Sequence, residues 1–241
     1  MSGPSLRSRA GSVCHPERSE GSLRPANQIL RFAQDDRIIS KCLGTPEKKK
    51  EIGVAQHATL KNNLRLMLRR AEPRDAEQVL AYLNQVAGES ENITFGPGEF
   101  GLSVEEERAF LQQTAASPTS LYLIAEVAGE ITGTLTFSTG KRPRLQHAGE
   151  FGMTVLRKYW NLGIGSRMLA YLIDWARQTG TIRKINLRVR VDNLPAIHLY
   201  EKHGFVQEGR VTREFYLHGQ FVDVYMMGLQ LDPPQALPTN S

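Results

Sequence analysis

Cysteine is nearly absent from this chain. Of 241 residues only Cys14 and Cys42 are cysteine, and both fall in the first sixty. That excludes a disulfide-stapled fold, a cysteine zinc site and a cysteine nucleophile from the body of the chain. Long apolar runs are missing too: none approaches the roughly 20 residues that a membrane-spanning helix requires. The arginines near the N-terminus have no apolar stretch behind them, so no secretory signal is expected. Charge of one sign is scarce where it would matter. The formal net charge is +5, but residues 1–60 hold 10 Lys and Arg against 6 Asp and Glu, and the rest holds 20 against 19. A near-neutral body argues against a nucleic-acid partner. His147, His198, His203 and His218 show no metal-ligand spacing, so no metal is expected. A soluble, cytoplasmic protein without a membrane partner follows.

Residues 1–60 are rich in Ser, Gly, Arg and Pro, with apolar residues only in scattered pairs such as Ile29-Leu30. Such a stretch buries too little surface to offset the entropy of ordering it. It reads as a disordered, dispensable extension. Residues 15–36 resemble the peptides produced when dispersed bacterial DNA repeats are translated by accident. Residues 61–231 read as one domain, and residues 232–241, with two adjacent prolines, as a disordered tail.

From residue 64 the pattern becomes regular. Residues 64–69 alternate as a strand, and Pro73 and Asp75 open an amphipathic helix through Val79, Leu80, Leu83 and Val86. Ser103 followed by Glu106 is the signature of a capping box for a second helix. Strands at 121–127 and 131–138 flank a hairpin turn at 128–130. A further strand covers 151–156, with Glu150 at its entrance. A helix opens at Gly165 and ends at Gly180. Then come a strand at 185–191, a short helix at 193–202 and a final antiparallel pair, 205–216 and 221–229. No internal repeat of 20–50 residues is present.

The chemistry concentrates in residues 155–169, VLRKYWNLGIGSRML. Gly163 and Gly165 let the backbone approach a ligand closely, and the helix that follows points unpaired N–H groups into the loop. A diphosphate suits such a loop. The Lys-Ser/Thr of a P-loop is missing, and Met168 stands where a dinucleotide fingerprint has its third glycine, so ATP and NAD fit poorly. A tight turn with close helix–strand packing explains the loop equally well when it is taken alone.

It does not stand alone, because residues 193–205 supply N-x-x-A-x-x-x-Y-x-x-x-G-F. Together the two motifs and the β-α-α-β-β-β-α-β-α-β-β order resemble the GNAT superfamily of acetyl-CoA-dependent N-acetyltransferases over residues 64–230. The resemblance implies a mixed α/β fold whose mostly antiparallel sheet opens into a V-shaped cleft between its fourth and fifth strands, flanked by four helices. It implies acetyl-CoA as co-substrate and an amine acceptor, either a small molecule or a peptide N-terminus. Met153, Thr154 and Val155 would offer backbone groups to pantetheine and an N–H to the thioester oxygen. Arg157, Lys158, Trp160, Asn161, Leu162, Gly163, Ile164, Gly165 and Ser166 would hold the diphosphate, and Asn193 would reach the pantetheine arm. Trp160 departs from the family, which has Arg or Gln there. Tyr200 matches the general acid that protonates the leaving thiolate, although packing on the inner face of its helix is the plain alternative. Glu150 is a candidate base acting through water, with Glu126 as a second candidate, and ordered water alone as a third course. Arg183, Lys184, Arg188 and Arg190 read either as a solvated strand face or as partners of the CoA 3′-phosphate. Residues 84–101, with Glu89, Glu91 and Glu99, read as an acidic lid favouring a cationic amine. A CoA-binding sensor or interaction module without turnover is the alternative function, and a homodimer is left open.

Overall fold

The computed structural model describes residues 55–232. Most of the leading segment, including residues 15–36, lies outside them, as does the tail from residue 233. The described chain runs β1 (Gln56–Thr59), β2 (Arg65–Arg70), α1 (Ala76–Glu89), α2 (Val104–Ala116), β3 (Ser120–Val127), β4 (Glu130–Thr139), β5 (Ala148–Val155), α3 (Ile164–Thr179), β6 (Lys184–Arg190), α4 (Leu194–Lys202), β7 (Val206–Leu217) and β8 (Gln220–Gln230). The strands form one sheet in the order β1-β2-β3-β4-β5-β6-β8-β7. Every neighbouring pair is antiparallel except β5 and β6, which run parallel.

That parallel pair is short. Ala148, Gly149 and Glu150 pair with Lys184, Ile185 and Asn186, and beyond them the two strands separate. β5 stays attached to β4 as far as Val155 opposite Gly133, and β6 stays attached to β8 as far as Arg190 opposite Val224. The sheet is therefore two firmly paired halves joined at the base of a V. The opening falls between the fifth and sixth strands of the chain rather than the fourth and fifth. The numbering shifts because Gln56–Thr59, inside the segment read as an extension, pairs with β2 as an edge strand. The polar tetrapeptide QHAT carries no apolar alternation, so only its partner reveals it. Leu60 behind it is buried and joins the core.

Each face of the sheet buries its own cluster of side chains. On one face α3 lays Met168, Leu169, Leu172 and Ala176 against Leu123, Leu135, Phe137, Phe151, Ile185 and Leu187. The ring of Trp175 meets Phe137 edge-on at 5.7 Å. On the other face α1 and α2 pack Val79, Leu83, Val86 and Leu111 over Tyr122, Ile124 and Ile131. Each such side chain stabilises the fold by roughly 1.5–3 kcal/mol, so the two clusters hold the halves of the V rigidly while the gap between them stays open. α2 starts where its sequence predicts: the Ser103 hydroxyl accepts from the Glu106 N–H, and the Glu106 carboxylate accepts from the Ser103 N–H.

Among the buried polar side chains of the described residues, one has no hydrogen-bond partner. Glu107, in the first turn of α2, is 1% exposed, and neither of its carboxylate oxygens has a hydrogen-bond partner. Burial pushes its pKa from 4.5 up to about 7. A carboxyl raised in this way binds a proton in the folded state that the unfolded chain has released. Its contribution is present below pH 4.5 and is lost as pH rises through 7. Glu107→Gln is accordingly expected to match the parent near pH 4.5 and to exceed it at pH 8, by up to about 3 kcal/mol. Chemical-denaturant unfolding at the two pH values checks this, and an equal effect at both would refute it.

Candidate active site

Strand alternation assigns the side chains around the V to its two faces. On β5, Phe151 and Met153 point toward α3 and α4, where they join the core. Glu150, Gly152 and Thr154 therefore point to the α1/α2 face. The same rule on β6 sends Ile185, Leu187 and Val189 into the α3 core, and Lys184, Asn186, Arg188 and Arg190 to the opposite face. Backbone groups alternate likewise. The Leu156 N–H donates to Thr132 on β4, so the N–H and C=O of Val155 and Met153 face the gap, while those of Thr154 are spent in the β4 ladder. Of the three expected backbone contributors, Met153 and Val155 line the opening and Thr154 does not. The Thr154 hydroxyl is instead tied to Tyr82 of α1 at 2.9 Å and to Thr134 at 3.1 Å.

At the wide end of the V the chain makes a short turn over Arg157–Tyr159 and enters α3. Gly163 caps that helix in the left-handed conformation, φ +93°, and a Cβ there would meet nothing within 4 Å. Gly165 is small for another reason: a Cβ would press within 3.1 Å of Leu199 on α4 and 3.4 Å of Met153. The glycine pair thus divides its work between conformation and packing. The N–H groups of Asn161, Leu162, Gly163, Ile164, Gly165 and Ser166 make none of the hydrogen bonds found among the described residues. Six free donors at the positive end of a helix form a cradle with the chemistry an anionic group requires.

Several expected contributors to that cradle are engaged elsewhere. The Arg157 N–H and guanidinium both bind Glu89 at the end of α1. The Lys158 ammonium is 2.7 Å from Glu130, which also accepts from the Tyr159 hydroxyl. Trp160, 43% exposed, donates its indole N–H to the Val155 carbonyl at 2.7 Å, covering the last carbonyl of β5 that faces the gap. The Ser166 hydroxyl meets His203 Nε2 at 2.7 Å and fastens the start of α3 to the end of α4. The Asn193 side chain caps α4 by accepting from the Ala196 N–H.

Tyr200 and Glu150 stand on opposite faces of the opening. Tyr200 is 8% exposed, its ring edge-on to Phe151 at 5.8 Å and against Phe205 at 6.1 Å. Burial pushes its pKa up to about 12, so the phenol keeps its proton at neutral pH and can only donate it. Glu150 is half-buried at the base of the V. Burial pushes its carboxyl up, Arg188 at 3.6 Å pulls it down, and Glu214 pushes it up again. Glu126, the second candidate base, is bound to Arg69 at 3.0 Å. Arg69 also grips Asp75, which burial pushes up but which the guanidinium and the Glu72 N–H together hold below the usual carboxylate range. Glu126 belongs to that structural cluster.

The basic run of β6 faces away from the α3 cradle and is paired: Lys184 with Glu208, Arg188 with Glu214, Arg190 with Asp192. It neither forms a bare solvated face nor points toward the cradle. The lid is shorter than its sequence suggests, because α1 continues through Glu89 and leaves residues 90–103 as the loop. Phe95 and Phe100 stack at 5.0 Å and hold it to the core. Its acids are occupied: Glu89 by Arg157, Glu91 by His218 at 2.8 Å, and Glu99 by the Gly96 N–H. Among the described residues no cluster of three His, Cys, Asp or Glu side chains is arranged to hold a metal ion, and no helix is long and apolar enough to cross a membrane.

The fold that carries this geometry is matched by known proteins. The family model for the acetyltransferase (GNAT) family matches residues 89–205. A crystal structure of a GNAT-family acetyltransferase from Streptococcus pneumoniae is 38% identical, with a TM-score of 0.67, covering 68% of this chain and 98% of that one. The chain belongs to the GNAT family. Within it, L-amino acid N-acetyltransferase AaaT of Escherichia coli K12 is 29% identical over 67% of this chain and 96% of its own length. The acetyltransferase yncA of Salmonella typhimurium, solved with its cofactor acetyl-CoA, has a TM-score of 0.62 at 21% identity, covering 73% of this chain and 99% of that one. This GNAT protein is an acyltransferase whose co-substrate is acetyl-CoA.

The free amides depend on Gly163 holding φ +93°. Gly163→Ala is expected to cost about 1–2 kcal/mol of stability and to weaken acetyl-CoA binding as the cradle is displaced. Thermal unfolding and isothermal calorimetry on the same variant check both, and unchanged affinity would show that the loop does not hold the diphosphate.

Proposed function

We propose that this GNAT enzyme transfers the acetyl group directly to a primary amine, with Tyr200 as general acid and Glu150 as the group that takes the amine's proton. The observation that carries the reading is the placement of these two side chains on either side of the parted strands. One is a buried phenol that cannot ionise at neutral pH; the other is a carboxyl that burial pushes upward, a push that Arg188 partly offsets, which makes it a better proton acceptor. Acetyl-CoA supplies an activated acyl group and a thiolate leaving group. The free amides of residues 161–166 bind its diphosphate, and the gap-facing backbone of Met153 and Val155 aligns the pantetheine arm. A backbone N–H of β5 directed at the thioester oxygen stabilises the developing oxyanion, an effect whose loss costs about 10²–10³ in rate.

An alkyl ammonium has a pKa near 10 and must lose a proton before it attacks. Glu150 accepts that proton, directly or through one water, and the neutral amine is then free to react. Tyr200 donates its proton to the thiolate as it departs. No residue of the chain need be acylated.

The acceptor carries its amine on a small molecule or a peptide end, and free amino acids are the first class to test. Two observations support that order. Arg157 offsets the charge of Glu89, which weakens the acidic character of the lid that a polyamine would seek, and likeness to the L-amino acid enzyme runs over nearly that protein's whole length. The reaction is placed in the cytoplasm, where acetyl-CoA is made. We keep the leading residues 1–54 outside the catalytic unit, which starts with β1.

The test is thiol release from acetyl-CoA by the full chain against a panel of amino acids, peptides and polyamines, with Tyr200→Phe alongside. Release that depends on one acceptor class, and that falls about 10²-fold or more in Tyr200→Phe with acetyl-CoA affinity and melting temperature unchanged, is the expected result. The Tyr200 hydroxyl makes none of the hydrogen bonds found among the described residues, so its loss leaves the fold intact. Undiminished turnover by Tyr200→Phe would remove it from the mechanism. Binding of acetyl-CoA with no release from any amine would favour a sensor.

A further inference from the structure

The carboxylate at the base of the V is not alone. β7 departs from its register with β8 between Val211 and Phe215, a bulge in which Arg213 adopts φ +59°. Non-glycine residues avoid that conformation, and here it is held in place. Asp223 on β8 accepts the Arg213 N–H at 2.9 Å and the Arg210 Nε–H at 2.8 Å, and the Arg213 guanidinium lies over the Phe221 ring at 4.7 Å. Bulges re-aim the side chains beside them. The next residue, Glu214, reaches across β8 to Arg188 on β6 at 2.7 Å. Arg188 in turn places its Nε 3.6 Å from Glu150 Oε1. A strained turn of backbone thus ends in a line of three charges, carboxylate, guanidinium, carboxylate, whose last member lies in the cleft.

We infer that Arg188 and Glu214 are positioning residues for Glu150, with Glu214 acting through the Arg188 guanidinium. The inference rests on the reading of Glu150 as the proton acceptor. Its physical content lies in what happens when the proton arrives. Before transfer the line carries one positive and two negative charges. The acceptor ammonium gives its proton to the Glu150 carboxylate; the ammonium becomes a neutral amine and Glu150 a neutral acid. What remains is Arg188 with Glu214, a closed ion pair with no stranded charge. Without Glu214, Arg188 would face an uncharged acid and be left unpaired, so the transfer would be opposed. Without Arg188, two carboxylates would face one gap and one would hold a proton before the acceptor arrived.

Among the described residues no other charged side chain competes for Glu150. From β4 it faces Ser138, and its register partner on β6 is Asn186. On the same face of β6, Lys184 is held by Glu208 and Arg190 by Asp192. Arg188 and Glu214 are the charged groups that bear on it.

The experiment is the pH profile of kcat/KM for the full chain and for Glu150→Gln, Glu214→Gln and Arg188→Gln, with Glu214→Asp as the conservative rescue. Removing the Glu214 charge strengthens the hold of Arg188 on ionised Glu150, so the acidic limb moves to lower pH, by about half to one unit. Removing the Arg188 charge moves it upward by a similar amount. Glu214→Asp keeps the limb near its original place. Opposite shifts of the two variants are the expected result, since a merely structural role would lower the rate at every pH and leave the limb where it is. Glu150→Gln separates the two ideas. If it retains the acidic limb, Glu150 is not the proton acceptor and the inference falls with that reading. If it loses the limb while Glu214→Gln and Arg188→Gln leave theirs in place, the base stands and the positioning role is refuted.

Discussion

The arrangement depends on the hydrogen bonds that β5 and β6 do not make. Three residue pairs join them, and then each strand keeps only its outer neighbour. Backbone N–H and C=O groups left without partners in a folded protein are costly unless something meets them. In a sheet of eight strands such a gap survives only because both halves are held independently. α3 binds the halves on one face, and α1 with α2 braces β3 and β4 on the other. The Trp160 indole covers one carbonyl, and the rest of the gap stays polar and ready for a ligand that brings its own amides. Pantetheine is such a ligand.

Under the proposed reading, Tyr200 and Glu150 inherit their properties from the two faces of the sheet on which they lie. Tyr200 sits among aromatic rings in a dry cluster, which keeps its proton attached. Glu150 sits on the side where β6 and β7 carry paired charges, and Arg188 there partly offsets the upward push of burial on its carboxyl. The sheet itself thereby separates the phenol from the carboxyl.

Much of this was legible in the sequence, for local reasons. The capping box of Ser103 and Glu106, the glycine that opens α3, and the Asn193 to Phe205 spacing are all short-range signals, and each element appears where they put it. Tyr200 is legible through its spacing from Asn193 and from Gly204-Phe205, the motif that carries the GNAT resemblance. What escaped was long-range. β1 is four polar residues whose only signal is a partner across a turn. β5 starts three residues early because Ala148 and Gly149 have no pattern until β4 and β6 bracket them. Arg157 and Lys158 looked free for a phosphate, but Glu89 and Glu130 lie far away in sequence. Glu107 reads as one of three consecutive acids on a helix surface, and only the packing of α2 on β3 shows that it points inward. The bulge that delivers Glu214 has no local marker at all, since an arginine is a poor choice for positive φ.

The loop of residues 90–103 has a consequence for traffic. It crosses from the end of α1 toward the other bank of the V, where Arg190 binds the Glu91 carbonyl and His218 binds its carboxylate. The bridge therefore lands on one residue. Under the proposed reading the nucleotide-bearing substrate enters beside α3 and the amine enters beneath this bridge, from opposite sides of the sheet. Neither route obstructs the other, so one substrate need not depart before the second arrives. Such a layout favours a complex in which both are held together, and it lets the narrow bridge, with its single far-bank footing, set the size of the amine admitted.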